Sequence, residues 1–335
     1  MDLDKKIRSL AALGTEILRI AGHQQDIIDS VYQKNQWFVP AFTSKALQGI
    51  AYMLDAKKLQ QWIAGYPLKN EKSLDIGIIM AGNIPLVGIH DLLTVLLSGN
   101  KAIVKLSHND DLLIPFLIDL LGSIEPDMVK QIVFKNSIMQ ADAIIATGSD
   151  NTSRYFEHAY SHIPHIIRKN RTSCSILHGN EDRNDYANLA DDIFSYFGMG
   201  CRNVSKMYIP ENFDMYDLLG VFDNYKWIGN HSKYANNYRY IKSILNLENK
   251  PYIDGEFFIF REDRRIVSPL ACIYYEHYQD AGDLDQKLTF NKSKIQCVVS
   301  REAFYPGSIS LGNAQSPEPW DYADNMDTMK FLLSL

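Results

Sequence analysis

Apolar residues recur with helical spacing through the first part of the chain. Between Lys5 and Ile20 they return every three to four positions, which predicts an amphipathic helix. Thr43 and Ser44 stand as caps before a second long helical pattern, Lys45 to Ala64, stopped by Gly65 and Pro67. After Ser73 the pattern changes. Asp75 to Ala81 is a short continuous apolar run of the kind carried by a strand buried on both faces. Pro85 is read as opening a helix that runs to Leu97 and closes at Gly99 and Asn100, with Lys101 to Lys105 as the next strand. Leu112 to Leu121 reads as a helix, Gln131 to Phe134 and Ala143 to Ala146 as strands, and Thr152 to Tyr160 as a helix. Strands alternating with helices at this spacing predict βαβ units, so residues 73–165 should form a doubly wound core around a parallel sheet.

A second α/β unit is expected from about Asn170. Ser175 to Leu177 reads as a strand, Tyr186 to Phe197 as a helix, and Val204 to Ile209 as a strand ended by Pro210. Helical patterns cover 214–222 and 232–246, and short strands are expected near 256–260, 270–275 and 295–299. Domain boundaries follow: 1–169 for the helical start and first α/β domain, 170–305 for the second, and 306–335 for a tail. Trp320, Tyr322, Met326, Met329, Phe331 and Leu332 give that tail apolar anchors, so it should pack back, as a candidate contributor to an oligomer interface.

Composition narrows the class without naming it. A chain of 335 residues with 46% hydrophobic and 22% charged residues is globular and large enough for two domains. A net charge of −6 argues against a nucleic-acid surface. No run approaches the ~20 apolar residues of a membrane span, and the charged start, Met1 to Arg8, is unlike a signal peptide, so a cytoplasmic location is expected. Four cysteines without a CxxC pair give neither a disulfide framework nor a zinc ribbon.

One of those cysteines differs from the rest. Cys174, Cys272 and Cys297 lie in apolar, β-branched or aromatic runs, where a thiol behaves as a small hydrophobe. Cys201 follows Gly198-Met199-Gly200 and precedes Arg202 and Asn203, a setting in which backbone can approach a ligand and a cation can favour a thiolate. Three strand ends add to it. Ala81-Gly82-Asn83-Ile84-Pro85 lies where a buried strand yields to a helix, and reads either as a ligand loop or as a plain helix cap. Lys105 ends its strand with Ser107 two residues on, a pair suited to ribose or phosphate, though a strand-end lysine is ordinarily just solvated. Gly148-Ser149 opens a helix, whose first N–H groups make a ready phosphate site. Neither a P-loop nor G-x-G-x-x-G is present.

In order and spacing these pieces resemble the aldehyde dehydrogenase superfamily, and within it the LuxC-like fatty acyl-CoA reductases. The tail motif, Asn313-Ala314-Gln315-Ser316-Pro317 with Asp321, Asp324 and Asp327, belongs to the same resemblance, which spans roughly residues 70–335. It implies an aldehyde dehydrogenase-like α/β fold, with a Rossmann-like cofactor domain, an α/β catalytic domain and a helical N-terminus. Cys201 would be the nucleophile that forms a thioester, and the Asn83 amide, with the Cys201 N–H, would donate to the oxyanion. Lys105 and Ser107 would hold the adenosine ribose or its phosphate, Gly148 and Ser149 the pyrophosphate. Pro269, after Ser268, would lie near the nicotinamide ribose.

Two departures sharpen what the resemblance implies. Hydrolytic relatives carry a glutamate that delivers water to the thioester, whereas the matching stretch here, Arg168 to Ser173, holds no carboxylate. Relatives also place a glutamate after the lysine to bind ribose hydroxyls. Here His108 and Asn109 follow instead, which admits a 2′-phosphate and favours NADP(H), with NAD(H) as the alternative. The implied activity is NADPH-dependent reduction of an acyl-CoA to an aldehyde. Rival readings are an acylating aldehyde dehydrogenase, an acyl phosphate reductase and a non-catalytic nucleotide-binding relative. Self-association is expected from the same resemblance. His158, His162 and His165 are set aside as a metal site because further ligands are missing. Arg261, Arg264 and Arg265 are read as a loop face.

Overall fold

The computed structural model describes residues 2–23, 25–68 and 73–335. Contacts divide the chain into two units, one made of 1–170 with 316–335, the other of 171–315.

The first unit begins with helices α1 (Leu3–His23), α2 (Gln25–Lys34), α3 (Pro40–Met53) and α4 (Ala56–Ala64). The single helix expected over 45–64 is therefore two. Its break is Asp55, whose carboxylate accepts the Lys57 and Lys58 N–H groups and so starts a new helix inside an unbroken apolar pattern. The α/β part follows as β1 (Asp75–Ile79), α5 (Ile89–Leu97), β2 (Lys101–Lys105), α6 (Leu113–Ile124), α7 (Pro126–Val129), β3 (Ile132–Phe134), β4 (Ala143–Thr147), α8 (Asp150–Ala159) and β5 (His165–Arg168). All five strands pair in parallel in the order β3-β2-β1-β4-β5. Ile79, Ile103, Ile144, Ala146 and Ile167 pack with Phe156 of α8 over one face. The chain leaves β1 to one side and returns to the other, so the sheet's switch point lies between β1 and β4, where ligands bind at the carboxyl edge of such sheets.

The second unit holds β6 (Thr172–Ile176), α9 (Arg183–Phe194), β7 (Val204–Pro210), α10 (Tyr216–Phe222), α11 (Ser232–Leu247), β8 (Ile253–Asp254), β9 (Ile259–Glu262), β10 (Cys272–Tyr278), α12 (Ala281–Asn291), β11 (Ile295–Ser300) and β12 (Ile309–Ser310). Its sheet runs β12-β11-β6-β7-β10-β9-β8, parallel except for the short β8–β9 pair. Cys174, Ile176 and Tyr208 pack beneath Leu284 and Leu288 of α12. A second aromatic layer surrounds Phe194, whose ring centroid lies 5.2–5.3 Å from those of Phe222, Phe257 and Phe258.

The tail ends in α13 (Thr328–Leu333), which packs on α5 within the first unit. Tyr322, Met329 and Leu332 are buried, while Met326 is exposed. Polar contacts fix the rest of the tail: Trp62 Nε1 donates to Tyr322 Oη at 2.7 Å, and Lys58 pairs with Glu318 at 2.6 Å. Among the described residues no helix is long and apolar enough to cross a membrane.

Candidate active site

Parallel pairing puts the ends of β1, β2 and β4 on one edge. Ile79 is in register with Lys105 on one side and Ala146 on the other, and neighbouring strands lie about 4.8 Å apart. The turns that follow these strands carry Asn83, Lys105 with Ser107, and Gly148 with Ser149. The first unit therefore brings five of the expected site residues to one carboxyl edge.

The turn after β1 is not the start of a helix. Pro85 sits inside it, and α5 opens only at Ile89. Leu86 takes a left-handed conformation with φ of 61°, unusual for a leucine. Its N–H donates to Asp110 Oδ2 at 2.6 Å, so the turn is held from the loop after β2 rather than by its own helix. Gly82 makes the second close approach: a Cβ there would fall 2.4 Å from Ser107 Oγ, and only a glycine fits. Asn83 stands exposed on this turn, and Lys105 is exposed at the end of β2.

At the end of β4 the chain turns directly into α8. Ser149 is the N-cap of α8: its Oγ accepts the Thr152 N–H at 3.3 Å and lies 2.9 Å from Thr152 Oγ1. Its hydroxyl thus serves the helix. A Cβ on Gly148 would meet the Thr152 side chain at 3.0 Å, which keeps this strand end narrow.

In the second unit Cys201 lies half-buried in the turn that enters β7. The helix expected to run to Phe197 ends at Phe194, and the backbone then reverses hand. Tyr196, Phe197 and Gly198 have φ of 53°, 58° and 77° in succession. Asn203 holds this path. Its Nδ2 donates to the carbonyls of Asp192, Ile193 and Ser195 at 3.1, 3.2 and 2.9 Å, and its Oδ1 accepts the Gly200 N–H at 2.8 Å. Its own N–H donates to Gly200 O at 3.1 Å, closing a turn around Cys201 and Arg202. Ser173, at the start of β6, donates from Oγ to Cys201 O at 3.1 Å. Arg202 donates to Ala314 O, and Asp192 accepts the Gly312 and Ala314 N–H groups at 2.7 and 2.9 Å. That fixes the Asn313 segment against the same loop.

Pro269 lines an open cleft of about 340 Å³, and Phe197, Gly198, Val204, Ser205 and Tyr234 line it too. Gly198 and Val204, each three residues from Cys201, share this cleft with the Ser268-Pro269 segment, while Cys201 itself is not among the residues that line it. Burial pushes the thiols of Cys174 and Cys272 up, the latter to about 12, which suits inert packing. Cys297 departs from expectation. It is half-buried, and its Sγ lies 3.0 Å from Ser173 Oγ rather than in purely apolar filling.

Arg168, in the stretch without a carboxylate, points into the first unit. Its guanidinium grips Asp91 with two bonds of 2.6 and 2.8 Å and donates to Thr328 Oγ1 at 2.7 Å, all buried. Among the described residues no group of three metal-ligating side chains occurs, the histidines of 158–165 included. Asn203, Asp110 and Ser173 were missed as supporting residues. Asn203 carried a signal in its place two residues after Cys201; nothing in the sequence pattern marked Asp110.

A sequence model of the acyl-CoA reductase (LuxC) family matches residues 39–215, just over half of the chain. No curated protein sequence matches. Solved structures with the same fold include aldehyde dehydrogenase 21 from Physcomitrella patens in complex with succinate, at 12% identity and a TM-score of 0.68 over 99% of this chain and 85% of that one. A Mycobacterium tuberculosis aldehyde dehydrogenase complexed with NAD+ aligns at 11% identity and a TM-score of 0.65, over 94% of this chain and 76% of that one. The propionaldehyde dehydrogenase of the Clostridium phytofermentans fucose utilisation microcompartment aligns at 8% identity and a TM-score of 0.61, over 95% and 82%.

Proposed function

The chain belongs to the acyl-CoA reductase (LuxC) family, an oxidoreductase lineage acting on acyl and aldehyde groups, and we propose that it reduces a fatty acyl-CoA to the aldehyde with NADPH. Cys201 thiolate attacks the thioester carbon, and coenzyme A leaves as its thiol after taking up a proton. The Cys201 N–H would stabilise the negative charge on the acyl oxygen, once as the acyl-enzyme forms and again as it is reduced, with the Asn83 amide as the second donor that the family resemblance implies. A reduced nicotinamide, held at the carboxyl edge of the first sheet, would supply the hydride that the acyl carbon needs. The alkoxide of the reduced adduct would collapse, the carbon–sulfur bond breaking as the oxygen lone pair reforms the carbonyl, so that the aldehyde leaves with Cys201 restored as a thiolate.

The carboxyl edge of the first sheet fits a dinucleotide. Gly82 lets the turn after β1 lie flat against Ser107, and the N-terminus of α8 presents backbone N–H groups after Gly148. Lys105 and Ser107 would hold the ribose or a 2′-phosphate, with His108 and Asn109 in place of a repelling carboxylate. Pro269, on its own cleft, would border the nicotinamide end.

The observation that carries this reading is Arg168. The stretch that the resemblance matches to the water-activating glutamate segment of hydrolytic relatives, Arg168 to Ser173, holds no carboxylate here, and its Arg168 is locked to Asp91. With no carboxylate in that stretch to deliver water, an acyl-enzyme would persist until it is reduced. Intact-mass spectrometry after mixing with acyl-CoAs of different length should show an acyl adduct on the wild type, discharged by NADPH, and none on Cys201→Ala. Reductase turnover by Cys201→Ala would overturn the mechanism, and an adduct only with acyl phosphates would move the substrate class.

A further inference from the structure

Asp110 follows β2 by five residues and is 3% exposed. One carboxylate oxygen accepts the Leu86 N–H at 2.6 Å; the other is buried without a hydrogen-bond partner. Leu86 is the left-handed residue in the turn that carries Asn83. The same two segments meet again at Gly82 and Ser107. The loop bearing Asp110 is itself fixed, since its N–H donates to Ser107 O at 3.1 Å and Asn35 Nδ2 donates to Asn109 O at 3.2 Å. Lys34 of α2 pairs with the neighbouring Asp111. Lys34 and Asp111 line a small hollow with Asp110, His108 lies two residues before it on the same loop, and residues 82–88 contain no charged or titratable side chain.

Keeping a carboxylate here works against the fold. Burial, with Asp111 beside it, pushes its pKa from 3.8 to about 6, despite the bond from Leu86. An acid raised in this way adds stability below 3.8 that is lost as pH rises through about 6. At neutral pH the ionised group is a burden, and the bond to the turn is what it provides in return.

We infer that Asp110 is a positioning residue, whose carboxylate sets the turn of Leu86 and thereby aims the Asn83 amide at the acyl oxygen. This rests on the reading of Asn83 as an oxyanion donor. Asp110→Ala removes the acceptor; Asp110→Asn keeps an oxygen for the Leu86 N–H but cannot ionise. In Asp110→Ala, kcat should fall about 10- to 100-fold with KM for acyl-CoA and affinity for NADPH within about twofold, since a misplaced catalytic group costs rate rather than binding. In Asp110→Asn, most of kcat should return at pH 7.5. The Asp110→Asn Tm at pH 8 should equal or exceed that of the wild type.

Hydrogen exchange gives a readout independent of activity: the peptide covering 82–88 should exchange faster in Asp110→Ala and like the wild type in Asp110→Asn. Unchanged exchange in Asp110→Ala, or a loss of kcat that tracks a loss of Tm and of NADPH affinity in both variants, overturns the inference. Failure of the wild type to form an acyl adduct would instead strike the reading of the reaction, and the exchange result would still decide whether Asp110 holds the turn.

Discussion

Asn203 does the work of several backbone hydrogen bonds with one amide. The left-handed residues Tyr196 and Phe197 each cost about 1–3 kcal/mol, and they persist because their rings are buried and the carbonyls before them are gripped. Truncating the amide removes the donor to those buried carbonyls and the acceptor of the Gly200 N–H. Asn203→Ala should lower stability by about 2–3 kcal/mol in denaturant titration. Because the same grip sets the Gly200–Asn203 turn, the variant should also form the acyl-enzyme more slowly while binding NADPH normally, as rapid-quench mass spectrometry and fluorescence titration would show. A stability loss with unchanged acylation would mean that the amide serves the fold alone. Ser173 works at a second point of the turn, through the Cys201 carbonyl.

Element boundaries show how far local pattern reaches. The expected strand over Lys101–Lys105 and the buried cores of β1 and β4 could be read directly, because a strand covered on both faces must be apolar throughout. Elements set by distant or polar contacts could not. Pro85 looked like the first residue of a helix, yet the bond from Leu86 to Asp110, twenty-four residues away, keeps that stretch a turn until Ile89. The polar helix α12 lacks an apolar stripe and went unseen, though Asp280 caps it by accepting the Asp283 N–H. β5 was missed because four residues after Pro164 carry too little pattern. Among site residues, the motifs that differ from their surroundings (Gly82-Asn83, Lys105, Cys201) stood out, while those acting through hydrogen bonds to backbone did not. Gly82→Ala tests the closest of these contacts. With its Cβ driven toward Ser107 Oγ, the two loops must part, so NADPH affinity should fall at least tenfold in fluorescence titration, at about 1–3 kcal/mol in stability. Near-normal affinity would show that the loops tolerate separation.

At the scale of the whole chain, the first unit is assembled from two stretches, 1–170 and 316–335. Arg168 joins them, with Asp91 from the first stretch and Thr328 from the second. Asp91→Ala strands that guanidinium in a buried site, and should cost about 3–5 kcal/mol, read as an earlier unfolding transition of the first unit. The double variant Asp91→Leu/Arg168→Met should recover much of it, since it leaves no lone charge behind; a double variant as weak as the single one would assign the loss to packing. This architecture has a consequence for biosynthesis. As the polypeptide leaves the ribosome, everything from Arg171 to Gln315 emerges before Ser316–Leu335 can reach α4 and α5. Until then Trp62 and the Arg168–Asp91 pair lack their final cover, so the nascent first unit waits in an unfinished state that chaperones or proteases can sample.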